Sequence, residues 1–215
     1  MNHIAHVRTR SGDPLRVRSS PNGTPVGFVS NGSQVYVTGE PVVAAGWTWV
    51  QIGVNRWVAS EFLAIDSSAN NKARVIATRT RETIGGGLRV YQTELIDPTG
   101  VTLKKVRGIS GRVGKQTPSD VAGSATPLPF GVYTFDRPGS VEDVPGEFGN
   151  AWSAITPRFK TERSALGIHY DPSVFKQNAN TGTAGCFATP TLEERNTMTA
   201  FIQTHKPTHF IVREG

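Results

Sequence analysis

The chain has 215 residues, room for two small domains or one larger one. Charged residues make up 19% and hydrophobic ones 37%, which excludes the extreme composition of a disordered chain. Its 23 basic and 17 acidic residues leave a net charge of +6, which favours an anionic partner or simply keeps the protein in solution. Glycine (23) and proline (14) favour many short turns over long helices. No run of about 18 apolar residues is present, so no transmembrane helix is expected. The N-terminus has no basic stretch followed by an apolar core, so no signal peptide is expected. The single cysteine excludes an internal disulfide framework and a thiolate-rich zinc site, and leaves room for one nucleophilic thiol.

Residues 1–66 read as short strands between turns. Leu15 and Val17 alternate with Arg16 and Arg18, the period-two pattern of a half-buried strand. Ser19-Ser20-Pro21-Asn22-Gly23 is a dense turn signal, and Asn31-Gly32 is another. Gln34–Thr38 and Trp47–Ile52 are strand-like, and Gly53-Val54-Asn55 turns the chain into Arg56-Trp57-Val58. About five short strands in about 60 residues describe a small barrel. Trp47, Trp49 and Trp57 are either core or ligand-facing, and so small a domain needs aromatic residues buried. Residues 67–73 are small, polar and aperiodic, and read as a linker.

Residues 74–215 resume the strand pattern. Gly85-Gly86-Gly87 lacks the spacing of a phosphate loop and reads as a turn, as does Asp97-Pro98-Thr99-Gly100. Val106–Ser110 and Gly131–Phe135 are strand-like, and 136–163 is a loop-rich stretch of the kind that covers active sites. Thr191-Leu192-Glu193-Glu194 is a capping box, which predicts a helix from Leu192 to about His205, before Pro207. His209–Val212 reads as a final strand. The basic residues are scattered, apart from Lys104-Lys105-Val106-Arg107, and no aromatic–basic interleaving marks a base-stacking platform; nucleic acid is not the expected partner.

The chemistry concentrates in Gly167-Ile168-His169-Tyr170-Asp171 and Gly182-Thr183-Ala184-Gly185-Cys186. A thiol is mostly protonated at neutral pH and needs a base to become a nucleophile, which His169 supplies for Cys186. Glycines beside the thiol let a substrate approach the backbone closely, so that consecutive peptide N–H groups face an oxyanion. Strand alternation returns Asp171 to the side of His169, where it can orient the imidazole, and turns Tyr170 away. A lone cysteine is also among the commonest inert core residues, so the alternative is a buried structural thiol. A paired Cys186 should alkylate well below pH 8; an inert one should not.

Two resemblances bear on these motifs. Leu15-Arg16-Val17-Arg18-Ser19-Ser20-Pro21, Val26-Gly27-Phe28-Val29, Trp49-Val50-Gln51-Ile52 and Arg56-Trp57-Val58-Ala59-Ser60-Glu61-Phe62-Leu63 resemble bacterial SH3 domains, in order. That resemblance implies a module of residues 1–66 that binds cell wall. Ile168-His169, followed by Thr183-Ala184-Gly185-Cys186-Phe187, resembles the signature of L,D-transpeptidases of the YkuD type. Pro127–Tyr133 resembles that family's Thr-Pro-X-Gly-X-Tyr segment, and Arg163 fits the pattern of some smaller members.

The second resemblance implies a catalytic domain over 74–215, a β-sandwich with one or two short helices, so the whole chain is expected to be mostly β. It implies Cys186 as nucleophile, His169 as base and the Gly185 and Cys186 N–H groups as oxyanion hole. Asp171 is the candidate orienting residue, and Thr183, Ala184, Arg163, Tyr133 and Tyr170 are candidate substrate contacts. The implied partners are peptidoglycan stem peptides and, through the SH3-like domain, the cell wall, with no metal or organic cofactor. The implied place is the cell envelope or the exterior, and the chain is expected to act as a monomer. One departure is specific: the family's arginine two residues after the cysteine is Ala188 here. Arg163 or Arg158 is the candidate replacement. The alternatives are an L,D-carboxypeptidase with water as acceptor, including a delivered toxin or a lysin that attacks wall peptides, and a non-catalytic wall-binding protein with a degenerate catalytic domain.

Overall fold

The computed structural model describes residues 2–215. It is mostly β, and its chain contacts divide into two units: residues up to Asn71 together with Arg158–Lys160, and Lys72–Pro157 together with Thr161–Gly215.

The first unit holds β1 (His3–Val7), β2 (Leu15–Arg18), β3 (Pro25–Val29), β4 (Gln34–Ala44), β5 (Trp47–Gly53), β6 (Arg56–Ala59) and β7 (Leu63–Ile65). They form one sheet in the order β3-β2-β6-β5-β4-β1-β7, with antiparallel neighbours throughout. Alternation sorts the faces: Leu15 and Val17 are buried beside Val35, Val37, Val50 and Val58, while Arg16 is exposed. Full burial of each such side chain contributes about 1.5–3 kcal/mol. Trp49 is core, Trp57 is half-buried and Trp47 is 41% exposed.

The expected linker is ordered. Asp66 caps a helical turn, α1 (Ser67–Asn70), by accepting from the Ala69 N–H at 3.0 Å. Asn70 then ties the turn to β1, accepting from the Ile4 N–H at 2.8 Å and donating to the Ile4 carbonyl. Small polar residues read as a linker because neither contact has a periodic signature.

In the second unit β8 (Arg74–Ile84), β9 (Leu88–Ile96) and β10 (Thr102–Arg112) form a meander through the Gly85–Gly87 and Asp97–Gly100 turns. There follow β11 (Gly131–Phe135), β12 (Trp152–Pro157), β13 (Leu166–Tyr170), β14 (Gly182–Thr189), α2 (Leu192–His205) and β15 (His209–Glu214). The eight strands close in the order β10-β14-β13-β12-β11-β15-β8-β9, so this unit is a closed barrel where a two-layered sandwich was expected. Alternating burial is common to both architectures, which is why strand patterns do not separate them. Junctions β13–β14 and β15–β8 are parallel; the other six are antiparallel.

An eight-stranded ring leaves an interior just wide enough for side chains. Phe187 fills it, with its ring 5.7 Å from Tyr91 and 4.9 Å from Phe210, and Tyr133 packs on Phe210 at 6.1 Å. A Cβ at Gly108, on the neighbouring strand, would lie 1.9 Å from the Phe187 ring, so only glycine fits there. The loop-rich stretch 136–163 contains β12, whose period-two pattern is short and bounded by glycines and Pro157. Helix α2 begins at the capping box as read: Thr191 accepts from the Glu194 N–H, and the Thr191 hydroxyl donates to the Glu194 carboxylate. No helix among the described residues is long and apolar enough to cross a membrane.

Candidate active site

Strand pairing decides which side chains meet. Strands β13 and β14 run parallel with Ile168 opposite Phe187 and His169 opposite Ala188. Phe187 points into the barrel. Its neighbours Cys186 and Ala188 therefore take the outer face, and His169, level with Ala188, shares it. Cys186 and His169 sit two residues out of register on adjacent strands, and both line one cleft of about 690 Å³.

The imidazole is held on three sides. Trp152, its partner across β12–β13, stacks over it at 6.1 Å, and Phe148 meets it edge-on at 5.2 Å. Its Nδ1 lies 2.9 Å from the Tyr170 carbonyl oxygen. A carbonyl only accepts, so this bond puts the proton on Nδ1 and leaves the Nε2 lone pair as the basic site. Burial pushes the His169 pKa down, opposed by the Tyr170 carbonyl and the charges of Asp171 and Glu147. Burial likewise pushes the Cys186 thiol up, opposed by the Gly167 N–H and the Arg163 charge. Both shifts run towards the uncharged forms, a thiol beside a neutral imidazole, so alkylation below pH 8 is expected to be slow and does not by itself separate a paired thiol from an inert one.

The peptides on either side of Cys186 are fixed. The Cys186 carbonyl accepts from the Ser110 hydroxyl at 2.7 Å and from the Thr183 hydroxyl at 2.8 Å. Ser110 Oγ also accepts from the Leu128 N–H at 2.9 Å. The Gly185 carbonyl accepts from Arg163 Nη2 at 2.9 Å. Gly185 has φ +125°, and a Cβ there would lie 1.9 Å from that guanidinium, so glycine is required twice over. The remaining acceptors of Arg163 are the Ser119 carbonyl and the carbonyl and hydroxyl of Thr126. Arg163 is 7% exposed, and no carboxylate among the described residues pairs with it.

The cleft thus gathers Cys186, His169, Gly185, Asp171, Thr183, Ala184 and Arg163. Several take parts other than those expected. The Gly185 N–H, implied as an oxyanion donor, points to Thr183 Oγ1 at 3.2 Å. Thr183 is buried with its hydroxyl engaged by Gly185, Gly111 and Cys186, so it shapes the turn, whereas Ala184 is exposed. Asp171 Oδ1 accepts from the Ser173 N–H at 2.7 Å, and the Tyr170 carbonyl, not Asp171, takes the His169 ring N–H. The charge of Asp171 opposes the lowering of the His169 pKa, and its Oδ2 is buried without a hydrogen-bond partner among the described residues.

Tyr133 stays out of the cleft: it is fully buried in the barrel and donates to the Pro129 carbonyl at 2.7 Å. Tyr170 also faces elsewhere, against Gly149 and under the Arg195 guanidinium at 5.8 Å. Arg158 falls in the segment grouped with the first unit. Sequence reading missed Phe148, Trp152 and Ser110. The first two carried a signal, aromatic residues in a glycine-rich loop; Ser110 carried none before its pairing with β14 was known. No group of three or more His, Cys, Asp or Glu among the described residues is placed to hold a metal ion. Comparison of the chain with known family models, curated proteins and solved structures gives no match.

Proposed function

We propose that the second unit is a cysteine acyltransferase of the L,D-transpeptidase kind, acting on peptidoglycan stem peptides. The observation that carries this reading is the placement of Cys186 and His169 on adjacent strands in one cleft, with His169 Nδ1 2.9 Å from the Tyr170 carbonyl oxygen, the arrangement that leaves Nε2 as the basic site. His169 Nε2 takes the thiol proton as Cys186 Sγ attacks the carbonyl before a terminal D-alanine. The C–N bond breaks, His169 returns the proton to the leaving amine, and a thioester remains on Cys186. An incoming amine, or water, gives its proton to His169, attacks the thioester and regenerates the thiol. The amine yields a crosslink or an exchanged D-residue; water makes the enzyme an L,D-carboxypeptidase.

The Cys186 N–H is the oxyanion donor retained in this reading. It lies across its peptide plane from the Gly185 carbonyl that Arg163 holds. Such a donor contributes roughly 3–4 kcal/mol to the transition state. Arg163, whose Nη groups are held by the Ser119, Thr126 and Gly185 oxygens, is assigned to fixing the Gly185–Cys186 peptide and to supplying positive charge beside the nucleophile. The first unit is proposed to hold the protein on the wall in the manner of a bacterial SH3 domain, at the cell envelope or outside the cell.

Mass spectrometry of a disaccharide-tetrapeptide incubated with the protein and with Cys186→Ala tests the reading. Loss of D-alanine, or a new dimer, is expected with the wild type only. No change across several stem peptides and acceptors would leave a wall-binding protein without this activity.

A further inference from the structure

The cleft of the second unit contains an arginine that its own geometry does not use. Arg112, at the end of β10, is half-buried and lines the same cleft as Cys186 and His169. Its backbone is clamped: the Arg112 N–H donates to the Ala125 carbonyl at 3.0 Å, and the Arg112 carbonyl accepts from the Gln116 side-chain amide at 2.9 Å. Its side chain is open. The guanidinium enters no ion pair among the described residues, and its Nε is buried with no hydrogen-bond partner. Buried polar groups are normally paired, so an unpaired one at a cleft calls for a ligand that completes it. Arg163 is the contrast, because its Nη groups are already held by backbone and hydroxyl oxygens.

A break in strand register brings Arg112 to this place. Ser110 lies opposite Phe187 but Arg112 lies opposite Gly182, so Thr183, Ala184 and Gly185 bulge between the two pairs, immediately before Cys186. The backbones close on each other here: a Cβ on Gly182 would lie 2.3 Å from the Gly111 carbonyl oxygen and 3.1 Å from Arg112 Cα. The Gly111 N–H donates to Thr183 Oγ1 at 3.0 Å, and that hydroxyl donates to the Cys186 carbonyl at 2.8 Å. A short chain of hydrogen bonds thus joins the residue before Arg112 to the nucleophile. The other charged groups of the cleft are the exposed Lys176 and Glu147 and the buried Asp171 and Arg163, and neither carboxylate pairs with Arg112.

We infer that Arg112 binds a carboxylate beside Cys186, and that in the substrate this is the α-carboxylate of the terminal D-residue, the one nearest the bond that is cut. A guanidinium matches a carboxylate with two parallel N–H bonds. The substrate half of the inference rests on the proposed function; the carboxylate site itself does not.

Two measurements on the full-length protein test it. The first compares turnover of the disaccharide-tetrapeptide with that of its C-terminal carboxamide. The wild type should favour the carboxylate. Arg112→Gln should lower kcat/KM for the carboxylate about 10- to 100-fold and for the carboxamide by no more than about threefold. Arg112→Lys should recover part of the loss, since it restores the charge without the fork. The second needs no turnover: the ratio of Cys186 alkylation rates with iodoacetate and with iodoacetamide at one pH, in which the thiolate fraction cancels. Arg112→Gln should lower that ratio about threefold or more. Equal losses for carboxylate and carboxamide, an unchanged alkylation ratio, or loss of the carboxylate preference in Lys176→Gln instead would overturn the inference and leave the proposed function standing. A lowered ratio in a protein that converts no stem peptide would keep the carboxylate site and overturn the proposed function.

Discussion

The cleft of the second unit and the groove of the first are built on opposite plans. Around Cys186 most of the polar groups described above have partners inside the protein: both flanking carbonyls are bound, the Thr183 hydroxyl is used three times, and the imidazole Nδ1–H is held, while Asp171 Oδ2 and Arg112 Nε are the exceptions. In the groove around Trp47 the cations Arg10 and Arg16 are exposed, the Trp47 and Phe28 rings face water, and Phe62 is half-buried against the core. Chemistry requires fixed atoms, so the cleft spends its polar groups on its own geometry. Recognition, the role proposed for the first unit, requires unsatisfied groups, and the groove leaves them open. The difference teaches where to expect loss of turnover and where to expect loss of binding.

The sharpest way to break the comparison is Cys186→Ala, which should lower turnover roughly 10⁴-fold or more, measured by release of D-alanine. Trp47→Ala should leave turnover of a soluble peptide within about twofold, since it removes only wall or peptide docking. An equal loss in both variants would dissolve the distinction. Phe187→Ala should cost about 3–5 kcal/mol in chemical denaturation, because it empties the centre of the barrel behind the nucleophile.

Ser110→Ala should be milder, about 1–3 kcal/mol, since it strips one donor from the Cys186 carbonyl and leaves the buried Leu128 N–H unpaired. Its kinetic signature should be a fall in kcat with KM little changed, because Ser110 touches no substrate. A variant that altered KM alone would place Ser110 in substrate binding instead.

pH separates the two members of the proposed catalytic pair. The His169 pKa lies below its ordinary 6.5, so the base is free at neutral pH and activity should fall only as pH drops through that lowered value. Alkylation of Cys186 by iodoacetamide should instead rise with a midpoint above the 9.0 of an ordinary thiol. Coincident midpoints would indicate a resting ion pair.

The smallest effect lies in the first unit. Burial alone would raise the Asp66 carboxyl, but Ser68, the Ala69 N–H and His6 outweigh it and hold its pKa at about 2. A carboxyl held below its unfolded value of 3.8 stabilises the fold above that pH, and the contribution disappears as pH falls towards 2. Asp66→Ala should cost about 1 kcal/mol and flatten the stability profile in that window.

Much of this was legible in the residues. Alternation at Leu15–Arg18 sorted buried from exposed side chains, and the Thr191–Glu194 box placed the start of α2. Cys186 and His169 were singled out because a lone thiol and an imidazole carry distinctive chemistry, and the structure places both in one cleft. What escaped depends on pairing between distant strands. Barrel closure, the acceptor of the His169 ring N–H and the role of Ser110 are set by which strand lies beside which. Tyr133 shows the converse: its motif pointed to substrate, but its position on β11 faces the barrel interior.

The central claim is that Cys186 carries the acyl group, and intact-protein mass spectrometry during reaction with the disaccharide-tetrapeptide tests it most directly. The account predicts an adduct equal to the substrate less D-alanine and water, mapped to the peptide containing Cys186, released by hydroxylamine and absent in Cys186→Ala. Conversion of the substrate by a protein that never carries that adduct, or conversion that survives Cys186→Ala, would contradict it.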